Sequence, residues 1–486
     1  IWILGIMTLF GMQFNIVNVI LATFIFGQGD DYTIFITDGL INEFAYRKKL
    51  LPSYKNSIII SALIMFIGMG SLIVAKHPAL LSLAEVTIVG MFTVVLMAWV
   101  IPPFIFKWLT KTNQQIRRNP VTIEQMIRTV YCTAVYLFEL LYGSIIGLII
   151  KLLPDKNGKK EAWFHRIIQK SMKVDVNHIW GVKFNVHNDV GETFEKSSII
   201  ICNHQSRLDP IYLLSLSPRI IVMASDKVWH NVLVRTMFKV SRFLNASGSV
   251  EEIEQKIGKS LEEGYSVVIF PEGLRSDGDI NRFHKGAFYL SKTLGVDILP
   301  IYIHGTGHVM PKGSGFASRG QVDLMIGERI SSETVSGYGD TAVKITKSMQ
   351  RVYQSSYKAF QHQIENTHYF HDFVINKHIY KGIGIEKETR QLLKRYDDFS
   401  KWIDDHRLDD PSSKTVSVVH AGRGQFSLMM ALVHPEWEIH SYTDDPDDFA
   451  LASACEPKPD NLHIHQMTEA DTDMVNIIDF SNILKG

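Results

Sequence analysis

The sequence predicts a multidomain chain: a segment of membrane-crossing helices, a central α/β domain, and a shorter, incomplete α/β segment. Three observations predict this. Long apolar runs are concentrated in residues 1–109, several of them near the length of a bilayer crossing. Residues 197–305 alternate short Ile/Val-rich runs with polar loops that contain glycine, the pattern of buried strands and their exits. Residues 370–486 are largely polar and carry a second strand, glycine-loop and helix pattern. At 486 residues the chain is also too long for one ordinary core.

Composition excludes several classes. Lys+Arg and Asp+Glu both number 50, so no bulk positive charge points to nucleic acid. A hydrophobic fraction of 46% with balanced charge excludes a disordered chain. Cys132, Cys202 and Cys455 lie far apart, which gives neither a disulfide framework nor a cysteine zinc motif. A reducing, cytosol-facing setting is expected, and no residue spacing suggests a metal. The chain opens on Ile1 inside an apolar run and stops soon after the strand-like run Met474–Ile478. It reads as a fragment cut at both ends.

The apolar runs are justified in turn. Residues 1–10 suit the tail of a truncated helix. Phe14–Leu40 is long and mostly apolar, interrupted by Gln28, Asp30, Asp31 and Asp38. Ser57–Ala75 carries no charge, and Leu83–Phe106 carries only Glu85. These lengths predict membrane spans. Arg47, Lys48 and Lys49 follow one run, and Lys107, Lys111, Arg117 and Arg118 follow the last, which predicts that both clusters face the cytosol. Asp30 and Asp31 are either a proton pathway or acids wetted at a helix end, depending on depth.

Gly27-Gln28-Gly29-Asp30-Asp31-Tyr32, a basic link, a Ser/Ile/Gly-rich span and His77-Pro78-Ala79-Leu80 follow in order. Residues 1–110 thereby resemble the last three spans of resistance-nodulation-division exporters, in the large-membrane-protein (lipid exporter) branch. The resemblance implies a proton-relay role for Asp31 and Tyr32, with Asp30 an extra acid. Such exporters need more helices than this chain has, so no transport by the chain alone is expected.

Tyr131–Ile150 is a further apolar stretch with Glu139 near its middle. Arg117, Arg118 and Arg128 precede it, and Lys151, Lys156, Lys159 and Lys160 follow. Basic residues on both sides favour an interfacial or re-entrant helix over a crossing.

The central segment carries the sharpest chemistry. A strand at Ser197–Cys202 leads into Asn203-His204-Gln205-Ser206-Arg207-Leu208-Asp209-Pro210. Asp209 before Pro210 reads as a helix cap. Yet a His and an Asp across one tight turn also form a base and its orienter: the Asp accepts from one imidazole nitrogen and leaves the other to take a proton. A substrate hydroxyl then serves as nucleophile. A strand at Tyr265–Phe270 leads into Pro271-Glu272-Gly273-Leu274-Arg275-Ser276, where Gly273 permits a turn and Arg275 offers a fork for phosphate. Arg282, His284 and Lys285 follow, then a buried strand, Ile298–Gly305, with Pro300 near its entry.

These three blocks, in this order, resemble the glycerolipid (lysophosphatidic acid type) acyltransferases over residues 180–330. The resemblance implies His204 as general base and Asp209 as its partner. It implies acceptor or substrate contacts at Asn203, Arg207, Glu272, Gly273, Arg275, Ser276 and Lys285, and an acyl site shaped by the strand of Pro300. One departure stands out: the family's basic second block has only Lys239–Arg242 or Asn245–Val250 as counterparts. The implied donor is a thioester on coenzyme A or acyl carrier protein, the acceptor is a lysophospholipid, and no cofactor is required.

Thr415–Val419 reads as a strand, followed by His420-Ala421-Gly422-Arg423-Gly424-Gln425, a helix from Phe426, and a strand at Glu438–Tyr442 ending in Thr443-Asp444. This order fits a Rossmann half and resembles class I S-adenosylmethionine methyltransferases over residues 385–486. Val418 and His420 stand where that family has an acid and a glycine, so S-adenosylmethionine binding is not expected. His463 and His465 read as surface residues.

The expected fold class is therefore an α-helical transmembrane segment plus an α/β acyltransferase domain plus a partial Rossmann-like α/β domain. The expected boundaries are 1–110, 111–165, 166–375 and 376–486. The expected setting is the inner (cytoplasmic) membrane with the acyltransferase part on the cytosolic face. The expected function is membrane-associated O-acyl transfer; the alternative is an exporter component whose soluble parts bind lipid or regulate without catalysing.

Overall fold

The computed structural model describes residues 2–486 apart from 13–14, 113–114, 118, 155–159, 225–228, 231–237, 239–240, 242, 277, 383, 406–413, 457, 469–475 and 481–486. The expected basic counterparts Lys239 and Arg242 lie outside the described residues, as does part of the Met474–Ile478 run. The chain forms two compact units. One is Thr122–Tyr369; the other combines Ile1–Val121 with Phe370–Gly486. This differs from the boundaries expected at 166 and 376.

In the first-named unit, seven strands form one sheet: β1 (Val182–His187), β2 (Ile199–Cys202), β3 (Ile220–Ala224), β4 (Leu244–Asn245), β5 (Ser266–Ile269), β6 (Ile298–His304) and β7 (Gly320–Ile326). Their spatial order is β1-β7-β6-β2-β5-β3-β4. All adjacent pairs are parallel except β6 with β7. Strands β2 and β6 are buried throughout, so both faces of the sheet are covered. Pro300 sits inside β6 at no loss to the ladder. Its carbonyl accepts from Gly327, just beyond the end of β7, so the missing N–H falls where the antiparallel pairing has stopped.

The helix expected in a separate linker belongs to this unit, together with a second helix that follows it. Before β1 come helix α5 (Ile123–Leu152) and helix α6 (Lys160–His178), which follow four helices earlier in the chain. Gln125 and the buried Arg128 of α5 bond to Ser318 and to the carbonyl of Ala317, and Arg319 pairs with Glu124. These polar anchors fix the start of α5 to the sheet domain, which is why the boundary falls at 122. Further along, Leu140, Gly143, Gly147 and Ile150 form its buried strip, while Phe138, Leu141, Ile145 and Leu148 are exposed. Glu139 accepts from Ser171 of α6.

Asp175 on α6 is pushed up to about 6, first by burial and then by Glu139. A carboxyl raised in the fold favours the folded state at acid pH, and that contribution is lost as pH climbs from the ordinary carboxylate range through 6. Asp175→Asn should therefore raise the melting temperature at pH 7.5 and leave it nearly unchanged at about pH 4. Melts in detergent at the two pH values check this; a larger gain at the acid pH contradicts it.

The other unit holds α1 (Trp2–Leu9), α2 (Ile16–Tyr46), α3 (Leu51–Gly70) and α4 (Pro78–Thr110). Asn15 caps α2 by accepting from Val17 and Asn18, and Asn18 returns a bond to Asn15. Ile25, Ile36, Ile58 and Met91 form the packed interior. Ile20, Phe24, Ile64, Ile67, Phe92 and Phe104 point outward, an apolar surface that suits lipid and not water. Among the described residues, four helices, those starting at Ile16, Leu51, Pro78 and Ile123, are long and apolar enough to cross a membrane. Asp30 and Asp31 are exposed near the middle of the 31-residue α2, not at a helix end. Tyr32 is buried, and its hydroxyl bonds with Gln28 and Ser61.

The same unit contains four parallel strands, β8 (Thr415–Val419), β9 (Glu438–Thr443), β10 (Leu462–Gln466) and β11 (Ile477–Asp479), in the order β10-β9-β8-β11. The sequence reading missed β10. His463 and His465 are strand residues: His463 contacts Glu438, and His465 contacts His440.

Candidate active site

The site lies where the parallel strands β2, β5 and β6 end. Asn203 leaves β2 fully buried, and its amide is committed to both backbone groups of Ile303 on β6. Its own N–H donates to the Tyr353 hydroxyl, which in turn donates to the Ile301 carbonyl. Expected as a substrate contact, Asn203 instead ties the strand ends together.

His204 comes next. Its Nδ1 is 2.8 Å from Asp209 Oδ2, with side-chain exposures of 20% and 0%. The same oxygen accepts the backbone N–H of Gln205 at 2.7 Å and of Ser206 at 2.8 Å. Asp209 is thus held by its own loop and, in turn, holds the imidazole. It is not the cap read from sequence. Leu208 occupies the cap position, Asp209 opens the helix Asp209–Leu214, and its carboxylate turns back toward the loop. Phe270 stacks on the His204 ring at 4.3 Å. A carboxylate beside Nδ1 favours the tautomer with its proton there, which leaves the lone pair on Nε2.

The loop after β5 grips His204 by its backbone. Glu272 Oε1 accepts the His204 N–H at 2.7 Å, and Oε2 accepts the Asn281 N–H at 2.7 Å. The Ser276 N–H and hydroxyl both donate to the His204 carbonyl. Glu272 and Ser276, which the resemblance puts at the acceptor, are in fact occupied by the chain's own backbone. Burial pushes the Glu272 carboxyl up against the pull of these two donors. Gly273 makes the turn at φ 69°, and a Cβ there would come within 3.1 Å of the His284 ring.

The remaining expected residues divide. Arg275 is half-buried, and among the described residues its guanidinium has no hydrogen-bond partner. Arg207 and Lys285 are exposed. Pro300 is buried within the sheet, so it shapes the interior without presenting a polar group. Sequence reasoning missed Phe270 as a ring support and missed Tyr353 and Tyr357. The hydroxyl of Tyr357 joins Gln205 to His304. Their i, i+4 spacing on one buried helix face was the available signal.

The neighbouring Cys202 is not a competing nucleophile. It is fully buried, and burial first, then Asp209, holds its thiol well above the usual range.

Residues 183–304 match the protein-family model described as Acyltransferase. This stretch is an acyltransferase domain. His204, Asp209, Glu272, Arg275 and Pro300 all fall inside it. The chain is 30% identical over 190 residues to the chloroplastic 1-acyl-sn-glycerol-3-phosphate acyltransferase LPAT1 of Arabidopsis thaliana, covering 37% of this chain and 52% of that protein. It is 25% identical over 194 residues to the human 1-acyl-sn-glycerol-3-phosphate acyltransferase beta, covering 38% of this chain and 67% of that protein. Among solved structures, the 1-acyl-sn-glycerophosphate acyltransferase PlsC of Thermotoga maritima aligns with a TM-score of 0.43 at 22% identity, over 49% of this chain and 97% of that one. The chain thus spans about half the length of the plant relative.

Proposed function

We propose that the chain is a membrane-associated O-acyltransferase that moves a fatty acyl group from a thioester to the hydroxyl of a lysophospholipid such as 1-acyl-glycerol-3-phosphate. The observation that carries this is the His204–Asp209 pair, anchored by two backbone amides with the imidazole still accessible. His204 Nε2 takes the proton of the acceptor hydroxyl as its oxygen attacks the thioester carbonyl. The C–S bond breaks, and the leaving thiolate takes the proton back from the imidazolium. Asp209 stabilises the transient imidazolium, and Arg275 binds the acceptor phosphate. The names of the relatives support the acceptor class, and the donor is acyl-CoA or acyl carrier protein. Glu272, Ser276 and Asn203 position His204 and do not touch substrate. Incubation of the full chain with labelled acyl thioesters and a panel of lysolipids tests the reading. Labelled diacyl product supports it, and unchanged lysolipid in every case refutes it.

The membrane helices keep enzyme and lipid in one phase. Within one unit, Lys48 pairs with Asp447 and Arg47 donates to the Ser453 carbonyl. These bonds support the cytosolic placement of the segment after 370, beside the basic cluster that the positive-inside rule assigns to that face. The exporter resemblance of residues 1–110 is kept as a reading of origin, with Asp30, Asp31 and Tyr32 as its relay candidates.

The strand order β10-β9-β8-β11 supports reading residues 415–479 as the start of a Rossmann-like sheet. His420 adopts φ 53° in the glycine loop, and its Nδ1 lies 2.8 Å from Asp444, the acid otherwise available to a ribose. Calorimetry with S-adenosylmethionine should show no saturable heat at micromolar ligand. A heat abolished by Gly422→Val would contradict this.

A further inference from the structure

The site has a third wall that the motifs do not include. At the end of β6, Gly305 turns the chain at φ 89°, where a Cβ would lie 2.0 Å from the Gln321 carbonyl oxygen, so only glycine fits. The turn sends residues 306–313 across the same end of the sheet as His204. This segment is bound to both catalytic loops. Ser206, inside the His204–Asp209 turn, donates to the Met310 carbonyl at 3.1 Å. Two residues on, Lys312 Nζ donates to the Arg275 carbonyl at 3.0 Å.

That bond leaves Lys312 unneutralised. Its partner is a neutral carbonyl, and it is the only one among the described residues. An ammonium has three N–H donors. One is used, two remain, and the side chain is exposed. The bond also tethers the ammonium to the backbone of the residue whose guanidinium has no hydrogen-bond partner among the described residues. Two full cations therefore meet at one backbone: Arg275 belongs to the loop after β5, and Lys312, from the segment after β6, is bonded to its carbonyl, next to the residues that grip His204.

Resting on the lysophospholipid reading above, we propose that Lys312 is a specificity-determining residue. With Arg275 it forms a two-cation clamp for an acceptor that carries a phosphate monoester. A phosphate monoester bears about −1.5 to −2 charge at neutral pH. A phosphodiester headgroup bears one negative charge, and a monoacylglycerol none. Two fixed cations match the first and exceed the needs of the others. Arg275 supplies planar two-point contact and Lys312 a movable point charge. The chain thereby obtains a second cation from the segment after β6, whatever its second sequence block contributes.

The test is steady-state kinetics of the full chain in lipid nanodiscs with three acceptors: 1-acyl-glycerol-3-phosphate, lysophosphatidylglycerol and monoacylglycerol. The variants are Lys312→Ala, Lys312→Gln and Lys312→Arg. Gln keeps a donor for the Arg275 carbonyl but removes the charge, so it separates tethering from charge. The expected result is an acceptor KM about 10–100-fold higher for the monoester in the Ala and Gln variants, the range for a charged hydrogen bond. Donor KM and turnover of monoacylglycerol should stay at parent values, and Arg should restore most of the monoester preference. Equal losses on all three acceptors, or an unaltered monoester KM in an active variant, overturn the clamp and leave the acyltransferase reading intact. A parent that acylates none of the three overturns that reading, and the clamp with it.

Discussion

His204→Ala will reduce acyl transfer by about 10²–10⁴-fold, the usual contribution of a positioned base. Its melting temperature and membrane association will stay near those of the parent. The separation follows from geometry. The loop holds His204 through its backbone N–H and carbonyl, which bond to Glu272 and Ser276 and survive truncation of the side chain. Among the described residues, the imidazole adds the bond to Asp209 and the stack on Phe270. Turnover near the parent rate in a folded His204→Ala protein would remove His204 from the mechanism. A large fall in melting temperature would instead show that the ring is structural.

Asp209 gives the second large effect, and there rate and stability separate between two variants. Asp209→Ala strips the acceptor from two buried amides and from the imidazole, which costs about 2–4 kcal/mol of folding stability together with most of the activity. Asp209→Asn keeps an oxygen for those donors. The other carboxylate oxygen, Oδ1, has no hydrogen-bond partner among the described residues, so the amide NH₂ can take its place. The Asn variant should melt within a few degrees of the parent, yet lose about 10²–10³-fold in rate, because a neutral amide does not stabilise the imidazolium. Thermal melts and initial rates on both variants check this. An Asn variant as active as the parent would mean that the charge of Asp209 is dispensable.

The His204–Asp209 pair was legible because five positions and one turn bring it together, a local geometry that sequence spacing encodes. The role of Glu272 was not. Its carboxylate binds a backbone N–H 68 positions earlier, and nothing in a strand–Pro–Glu–Gly pattern says whether an acid faces substrate or backbone. The same holds for α5. Gln125 and Arg128 read as polar residues flanking an apolar run, and only their bonds with 317–318 make the helix part of the sheet domain. The apolar runs themselves were readable because bilayer length is a one-dimensional property. Strand β10 was missed because its Leu-His-Ile-His alternation, although it has the period of a strand, carries only two apolar residues in five.

The central claim is direct attack by the acceptor hydroxyl, with His204 as base and no acyl-enzyme. The most direct measurement is release of the donor's free thiol from acyl-CoA in rapid-mixing experiments, with and without lysophospholipid, at enzyme concentrations near that of the donor. Direct attack predicts no thiol burst without acceptor, and release that matches diacyl product one for one when acceptor is present. A burst equal to the enzyme concentration in the absence of acceptor, with the acyl group recovered on the protein, would contradict it.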